Sequence, residues 1–261
     1  MLVIAALSKR YEVEGGEIAA LDAITASIDE GAFVCLLGPS GCGKSTLLKI
    51  VAGLIPPSGG TITIAGRAVT GPGPNRAVVF QDYALFPWMT VADNVEFGLA
   101  ARGVEPGRRR AVSSELLRAV GLHDFAAKYP HHLSGGMKQR VSIARALAVD
   151  PVLLLMDEPF GALDAQTRFV MQQELLRIWR AYRKTVLFVT HSIDEALYLG
   201  DRVLVMTARP GTIKADIRVS QPRPRDIGSV EFSALRRQTL ELLADEIARS
   251  MEQEAAAGAT A

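Results

Sequence analysis

Three features of the sequence predict an α/β fold with a mainly parallel sheet. A glycine-rich turn, Gly38 to Thr46, stands between the apolar run Phe33–Leu37 and the apolar-rich stretch Leu47–Val51. Apolar runs at Val152–Met156, Val186–Val189 and Val203–Met206 alternate with stretches of helical period, the pattern of parallel strands joined by right-handed crossovers. From Asp82 to about Asp150 strand patterns give way to helical ones, which predicts a helical segment inserted into the α/β part.

Residues 1–30 alternate polar and apolar around Gly15-Gly16, which reads as an antiparallel β segment with a turn. Thr61-Ile62-Thr63-Ile64 alternates again and is expected to join it. Gly71-Pro72-Gly73-Pro74 is a loop, and Ala77-Val78-Val79-Phe80 a short buried strand ending at Gln81. Helices are expected from Val91 to Ala101, with Thr90 as N-cap, and from Ala111 to Val120, where Leu116, Leu117 and Val120 recur before Gly121. Another runs from about Gly135 to Ala148. Val152–Met156 is apolar throughout, as in a central strand covered on both faces. The helix from Ala165 to Tyr182 places Met171, Leu175, Ile178 and Trp179 on one face. Arg209-Pro210-Gly211 is a turn, followed by the alternating Ile213, Ala215, Ile217 and Val219. Pro222 and Pro224 interrupt the chain. Leu235, Leu240, Leu243 and Ile247 mark a final helix, and Ala255 to Ala261 is expected to fray.

The 261 residues carry a formal net charge of +1. That gives no electrostatic case for nucleic acid or for an anionic membrane surface. Cys35 and Cys42 are too few and too close for a disulfide framework, and both are expected as reduced thiols of a cytosolic protein. Met1–Leu7 is apolar, lacks a preceding basic region and reads as a strand rather than a signal peptide. No run is long enough to cross a bilayer, so membrane association would go through a partner.

The turn Gly38-Pro39-Ser40-Gly41-Cys42-Gly43-Lys44-Ser45-Thr46 reads G-x-x-x-x-G-K-S followed by Thr. Between a strand and a helix, this is a nucleotide phosphate-binding loop. Its glycines let successive N–H groups face one concavity, and the helix adds its positive end. Lys44 would reach the β- and γ-phosphates, and the Ser45 hydroxyl would ligate Mg²⁺. The electropositive turn is also expected to lower the pKa of the Cys42 thiol.

Met156-Asp157-Glu158-Pro159 ends the most apolar strand. A carboxylate there holds Mg²⁺ in phosphate-loop enzymes, and Asp157 fits. Glu158 can serve as general base toward a water in line with the γ-phosphate. Leu133-Ser134-Gly135-Gly136-Met137-Lys138-Gln139-Arg140 offers a second possible anion site, a hydroxyl and free N–H groups opening a helix. A capped helix start is the ordinary alternative.

Taken in order, Gly38 to Thr46, Gln81, Leu133 to Arg140, Val152 to Glu158, Ala162-Leu163-Asp164 and His191 resemble ATP-binding cassette (ABC) ATPase subunits over nearly the whole chain. The resemblance implies a P-loop NTPase (RecA-like) core over residues 1–220. It includes an N-terminal antiparallel β subdomain at 1–75 and a helical subdomain at about 82–150. Residues 221–261 would form a C-terminal helical extension and tail. It further implies ATP and Mg²⁺ as ligands. Tyr11 is identified with the aromatic that stacks on adenine; a core tyrosine on an edge strand is the alternative. Gln81 resembles the residue linking Mg²⁺ and the attacking water to the helical part. Ser134, Gly135 and Gly136 would contact the γ-phosphate bound by a second copy of the chain, with Asp164 at the seam. His191 resembles the switch histidine at the γ-phosphate. Many relatives carry Gln where this chain has Met137, which leaves the helix contact there open.

The implied partners are a second copy of the chain, an integral membrane permease subunit and, indirectly, a periplasmic or extracellular solute-binding protein. The implied location is the cytoplasmic face of the inner membrane, held peripherally. The stretch Asp82-Tyr83-Ala84-Leu85-Phe86-Pro87-Trp88 is the expected docking groove, although Phe86, Pro87 and Trp88 could instead pack inside the helical part. Tyr83 to Val91, with the Arg209-Pro210-Gly211 turn and Pro222-Arg223-Pro224-Arg225, is similar to the nitrate, sulfonate and taurine importer subgroup. A GTP switch protein would show an Asn-Lys-x-Asp guanine reader, and the chain has none. A kinase would lack the Ser-Gly-Gly string. A DNA-repair or chromosome cassette would interpose long heptad arms, and a translation-factor cassette protein would carry two phosphate loops. An exporter subunit remains open.

Overall fold

The computed structural model describes residues 1–13 and 16–258. In chain order the strands and helices begin with β1 (Leu2–Val13), β2 (Gly16–Ile28), β3 (Phe33–Leu37), α1 (Lys44–Ala52), β4 (Gly59–Ile64), β5 (Arg67–Ala68) and β6 (Arg76–Val79). The helical stretch holds α2 (Val91–Ala101), α3 (Pro106–Ala119) and α4 (Gly135–Ala148). There follow β7 (Leu153–Asp157), α5 (Ala165–Tyr182), β8 (Thr185–Thr190), α6 (Ile193–Leu199), β9 (Arg202–Met206), β10 (Ile213–Arg218) and α7 (Val230–Gly258). The chain divides into two compact units, Met1–Gly73 with Thr185–Ala261, and Pro74–Lys184. The predicted α/β fold with parallel strands is the one found.

In the first unit β1 pairs antiparallel with both β2 and β4, and β4 pairs with β5. The alternation in the sequence becomes a one-sided sheet: Leu2, Ile4, Leu7, Leu21, Ile24 and Ile28 are buried while their neighbours face out. The turn expected at Gly15-Gly16 lies in part outside the described residues. The second sheet of this unit places β3 between β8 and β9, parallel to both, with β10 antiparallel to β9. Every residue of β3 and of β8 is buried, as strands covered on both faces require. Leu47, Leu48, Ile50 and Val51 bury one side of α1, which stops at Gly53 in the left-handed region, φ 78°.

α7 departs from the expected pattern. Its buried stripe is Phe232, Thr239, Leu243, Glu246 and Ser250, whereas Leu240 and Ile247 face out. The stripe is partly polar because it meets polar groups of the phosphate loop, the turn after β9 and β10. Glu246 accepts from the Ala208 N–H at 2.9 Å and from Lys214 Nζ at 2.8 Å, and Ser250 donates to the Ser40 carbonyl. The helix runs on to Gly258, beyond the start of the stretch expected to fray. Residues 259–261 lie outside the described residues.

In the second unit β6 and β7 pair in parallel from Arg76–Leu153 to Val79–Met156. The strand expected to be buried at Ala77–Phe80 is only half covered, with Val79 its one buried residue. α2 and α4 keep their predicted bounds. Thr90 caps α2 in a reciprocal capping box with Asp93. α3 starts earlier than predicted, at Pro106, because the Glu105 carboxylate caps the Arg108 N–H and Pro106 suits the first turn. α6 was not apparent from the apolar spacing. It is one short helix capped by Ser192, which accepts from the Glu195 N–H.

Candidate functional site

In the first unit the phosphate loop follows β3 directly. Gly41 and Gly43 have φ of 69° and 102°, left-handed conformations that favour glycine. At Gly43 a Cβ would lie 2.6 Å from Leu21 Cδ2 and 2.9 Å from the Ala20 carbonyl. The neighbouring Gly211 is needed for close approach, since a Cβ there would meet the Cys42 carbonyl at 2.1 Å. Gly211 is fixed against β2, donating to Ala20 and accepting from Asp22. Lys44 is buried and turns back into the loop, donating to the Gly38 carbonyl at 2.9 Å and the Pro39 carbonyl at 2.7 Å. Ser45 and Thr46, half-buried, lie in the first turn of α1.

Cys42 corrects an expectation. Its thiol is fully buried, and that burial pushes its pKa up, outweighing the pull of the nearby Lys44 ammonium and loop amides. Desolvation of the thiolate costs more here than the electropositive turn returns.

His191 stands at the end of β8, exposed, where Thr190 Oγ1 accepts from the Ser192 N–H at 3.0 Å. It shares a cavity of about 240 Å³ with Gly38, Pro39 and Ser40 of the loop and Leu243 and Met251 of α7. The structure therefore brings His191 to the phosphate loop. Tyr11 is 38% exposed, beyond the last pairing of β1 with β4 at Ser8–Gly59, and Lys9 Nζ sits 5.0 Å from its ring centroid. The core alternative for this tyrosine does not hold.

In the second unit β7 delivers Asp157 and Glu158, both half-buried, at its end. Glu158 has φ 44°, an uncommon conformation for a side chain longer than Asn or Asp and one that concentrates at functional sites. The turn closes through the Gly161 N–H to the Glu158 carbonyl at 3.0 Å. A Cβ on Gly161 would lie 3.1 Å from Gln81 Nε2, which places the Gln81 amide against this turn. Asp164 caps α5 by accepting from the Thr167 N–H, and that bond holds its carboxyl below the usual range.

Ser134 caps α4, accepting from the Met137 N–H at 3.4 Å. Gly135 and Gly136 are closely approached by side chains of the same unit. Cβ atoms there would lie 3.0 Å from Tyr83 Oη, 3.2 Å from Leu163 Cδ2 and 3.1 Å from Thr167 Cγ2. Gln81, the Glu158 turn, Asp164 and the Ser134–Gly136 turn thus form one connected cluster in this unit.

The stretch after Gln81 is held by residues that motif reading passed over. Arg145 of α4 donates to the Tyr83 and Ala84 carbonyls, steadying two residues with φ of 57° and 48°. Asn94, fully buried, accepts from the Phe86 N–H and donates to the Phe86, Met89 and Thr90 carbonyls. The available signal was Asn94 itself, a poor helix former one turn into a capped helix. Phe86 packs on Phe97 with ring centroids 4.4 Å apart, whereas Trp88 is 71% exposed. Phe86 therefore packs within the unit, while Trp88 faces out.

Ser45 of the first unit carries a hydroxyl, and Asp157 and Gln81 of the second carry a carboxylate and an amide oxygen. Each is a hard oxygen donor, of the kind that suits Mg²⁺ rather than a thiophilic metal.

A phosphate loop on a parallel sheet, with a Ser-Gly-Gly turn opening a second helix, defines an ATP-binding cassette. The ABC transporter family model matches residues 21–161, and the chain belongs to that family as an ATP-binding ATPase component. It is 51% identical, over 94% of its length and 92% of the relative's, to an uncharacterised ABC transporter ATP-binding protein of Methanocaldococcus jannaschii. The nitrate import ATP-binding protein NrtD of Synechocystis is 49% identical over 85% of this chain and 83% of its own. The taurine import ATP-binding protein TauB of Rhizobium johnstonii is 56% identical over 77% of each. Among solved structures, the ATP-binding cassette MJ0796, a dimer in a post-hydrolysis state bound to ADP and Pi, superposes with a TM-score of 0.74. It shares 33% sequence identity, covering 85% of this chain and all of that one. Among the described residues no helix is long and apolar enough to cross a membrane.

Proposed function

We propose that the chain is the ATP-hydrolysing subunit of an importer that takes up a small anionic solute of the nitrate, alkanesulfonate or taurine kind through a separate membrane permease. The observation that carries this is one chain holding two different anion-binding turns, Gly38–Thr46 and Ser134–Gly136. One nucleotide does not need both from the same copy. Two copies sandwiching two ATP molecules use both, and the dimeric relative bound to ADP and Pi supports that arrangement. The nitrate and taurine import relatives support the solute class. A bicarbonate transport ATP-binding protein of Synechococcus elongatus, 49% identical, keeps a second anion in view. A pyrimidine precursor as solute, or an export direction, is the alternative.

The residues take these roles. Tyr11 stacks on adenine. Amides from Gly38 through Gly43 cradle the phosphates, and Lys44 leaves its loop carbonyls for the β- and γ-phosphates. Ser45, Asp157 and Gln81 would hold Mg²⁺, which when bound neutralises phosphate charge. Glu158 takes the proton of the attacking water, and His191 orients on the γ-phosphate. Ser134, Gly135 and Gly136 meet the γ-phosphate held by the other copy, with Asp164 beside them. Loss of that phosphate on hydrolysis lets the pair open. Residues 1–220 form the cassette, with a β subdomain at 1–75 and a helical one at about 82–150, and 221–261 the extension. Trp88 marks the face that meets the permease, which would hold the chain peripherally at the cytoplasmic side of the membrane. A solute-binding protein outside would deliver the solute.

Ser134→Arg tests the shared site. The variant should bind MgATP as the wild type does yet fail to dimerise with it in sedimentation; a normal ATP-dependent dimer would refute the reading. Co-purification from solubilised membranes tests the partner. An integral permease is expected, and recovery of ribosomes or DNA alone would overturn the transport role.

A further inference from the structure

Two peptide planes of the phosphate loop are held by groups distant in sequence. The Ser250 hydroxyl of α7 donates to the Ser40 carbonyl at 3.1 Å. The Arg209 guanidinium donates to the Gly41 carbonyl, at 3.3 Å from Nη2 and 3.4 Å from Nε. A trans peptide is planar, and its C=O and N–H point in opposite directions. The Ser40 carbonyl shares its plane with the Gly41 N–H, and the Gly41 carbonyl shares its plane with the Cys42 N–H. Fixing the two oxygens therefore fixes the direction of two amides that a phosphate loop offers to an anion.

The fixing groups are themselves fixed. Gln253 Nε2 of α7 donates to the Arg209 carbonyl at 2.8 Å, and Glu246 accepts from the Ala208 N–H at 2.9 Å. Glu246 is 2% exposed and also pairs with Lys214 of β10. The turn after β9 is thus clamped to α7, and both reach the loop together. Ser250 is itself a buried polar residue on an otherwise frequently charged helix surface.

We propose that Ser250 and Arg209 are positioning residues for the phosphate loop, through which α7 sets the affinity of the chain for nucleotide phosphate. The inference rests on the reading of Gly38–Thr46 as the nucleotide site. When either donor is lost, the corresponding carbonyl is free to turn, and an oxygen in place of an N–H repels the anion.

The test is calorimetric titration of the full chain with MgADP, beside steady-state hydrolysis of ATP. Ser250→Ala and Arg209→Ala should each weaken MgADP binding roughly three- to tenfold, the worth of about one hydrogen bond. The loss should appear in Kd and KM rather than in kcat. Ser250→Thr, which keeps a hydroxyl, should restore binding, which a role in helix packing alone would not produce. Wild-type affinity in both alanine variants, or Ser250→Thr as weak as Ser250→Ala, would overturn the proposal. A wild-type chain that binds no MgADP would overturn the nucleotide reading beneath it as well, so the two failures are distinguishable.

Discussion

Lys44 donates to the Pro39 carbonyl at 2.7 Å within the phosphate loop that both residues belong to. With the Gly38 carbonyl as second acceptor, its ammonium is solvated by backbone although the side chain is 5% exposed. A buried cation needs such partners. The same three donor hydrogens are what an anion in the loop would compete for. Lys44→Ala removes the charge and leaves two carbonyls without their donor. MgATP binding should weaken by at least about tenfold, the scale of one charge-assisted contact, and hydrolysis should fall to background. Titration and a phosphate-release assay read both; unchanged affinity would place the phosphates elsewhere.

Cys42 lies within the loop yet is chemically shielded. Full burial and a raised pKa leave little thiolate at neutral pH, and the thiolate is the reactive form. Cys35 is also fully buried, and burial drives its pKa well up. Neither thiol should take up iodoacetamide in the native protein at pH 7.5, and both should do so in denaturant. Intact-mass spectrometry checks this. Fast native alkylation of Cys42 would mean the loop opens far more than its packing implies.

Glu246 should make the attachment of α7 depend on pH. Burial pushes its carboxyl up, but hydrogen bonds from Lys214 and the Ala208 N–H, with the charges of Lys214 and Arg249, win and hold it below the ordinary value. A carboxyl lowered in the folded state contributes stability that is fully present above its unfolded pKa. That contribution is lost as pH falls through the folded one. Glu246→Gln should therefore cost about 1–3 kcal/mol near pH 7, and the gap to wild type should close below the ordinary carboxylate range. Thermal melts of both proteins across pH test it; a gap that persists in acid would show that packing, not charge, holds α7.

Much of the fold was legible because local signals and the tertiary fold agree. Thr90 and Ser134 each cap the helix whose start they marked. The apolar β3 leads into the phosphate loop, and the apolar Leu153–Met156 of β7 leads into the Asp157-Glu158 pair, as their composition implied. Where local signals were weak, so was the reading. Arg108, Arg109 and Arg110 masked the first turn of α3, and α6 is too short for periodicity to register. Ser192 and Glu195, spaced as a capping pair, were the signal available there. The stripe on α7 was legible only at Leu243, because Glu246 and Ser250 are buried against the Ala208 N–H, Lys214 and the Ser40 carbonyl, all far away in sequence. Ser250 meets Ser40 across 210 residues and Arg209 meets Gly41 across 168. No local pattern encodes such contacts, and only the packed structure reveals them.

The most direct measurement is sedimentation of Glu158→Gln with MgATP, beside its rate of phosphate release. Glu158 leaves β7 in a left-handed conformation with its turn against Gln81, and as the proposed base it is the group whose loss should stop cleavage without removing the nucleotide. The predicted result is a stable ATP-dependent dimer with hydrolysis reduced to background. A variant that stays monomeric with bound MgATP, or that turns over like the wild type, would contradict the account.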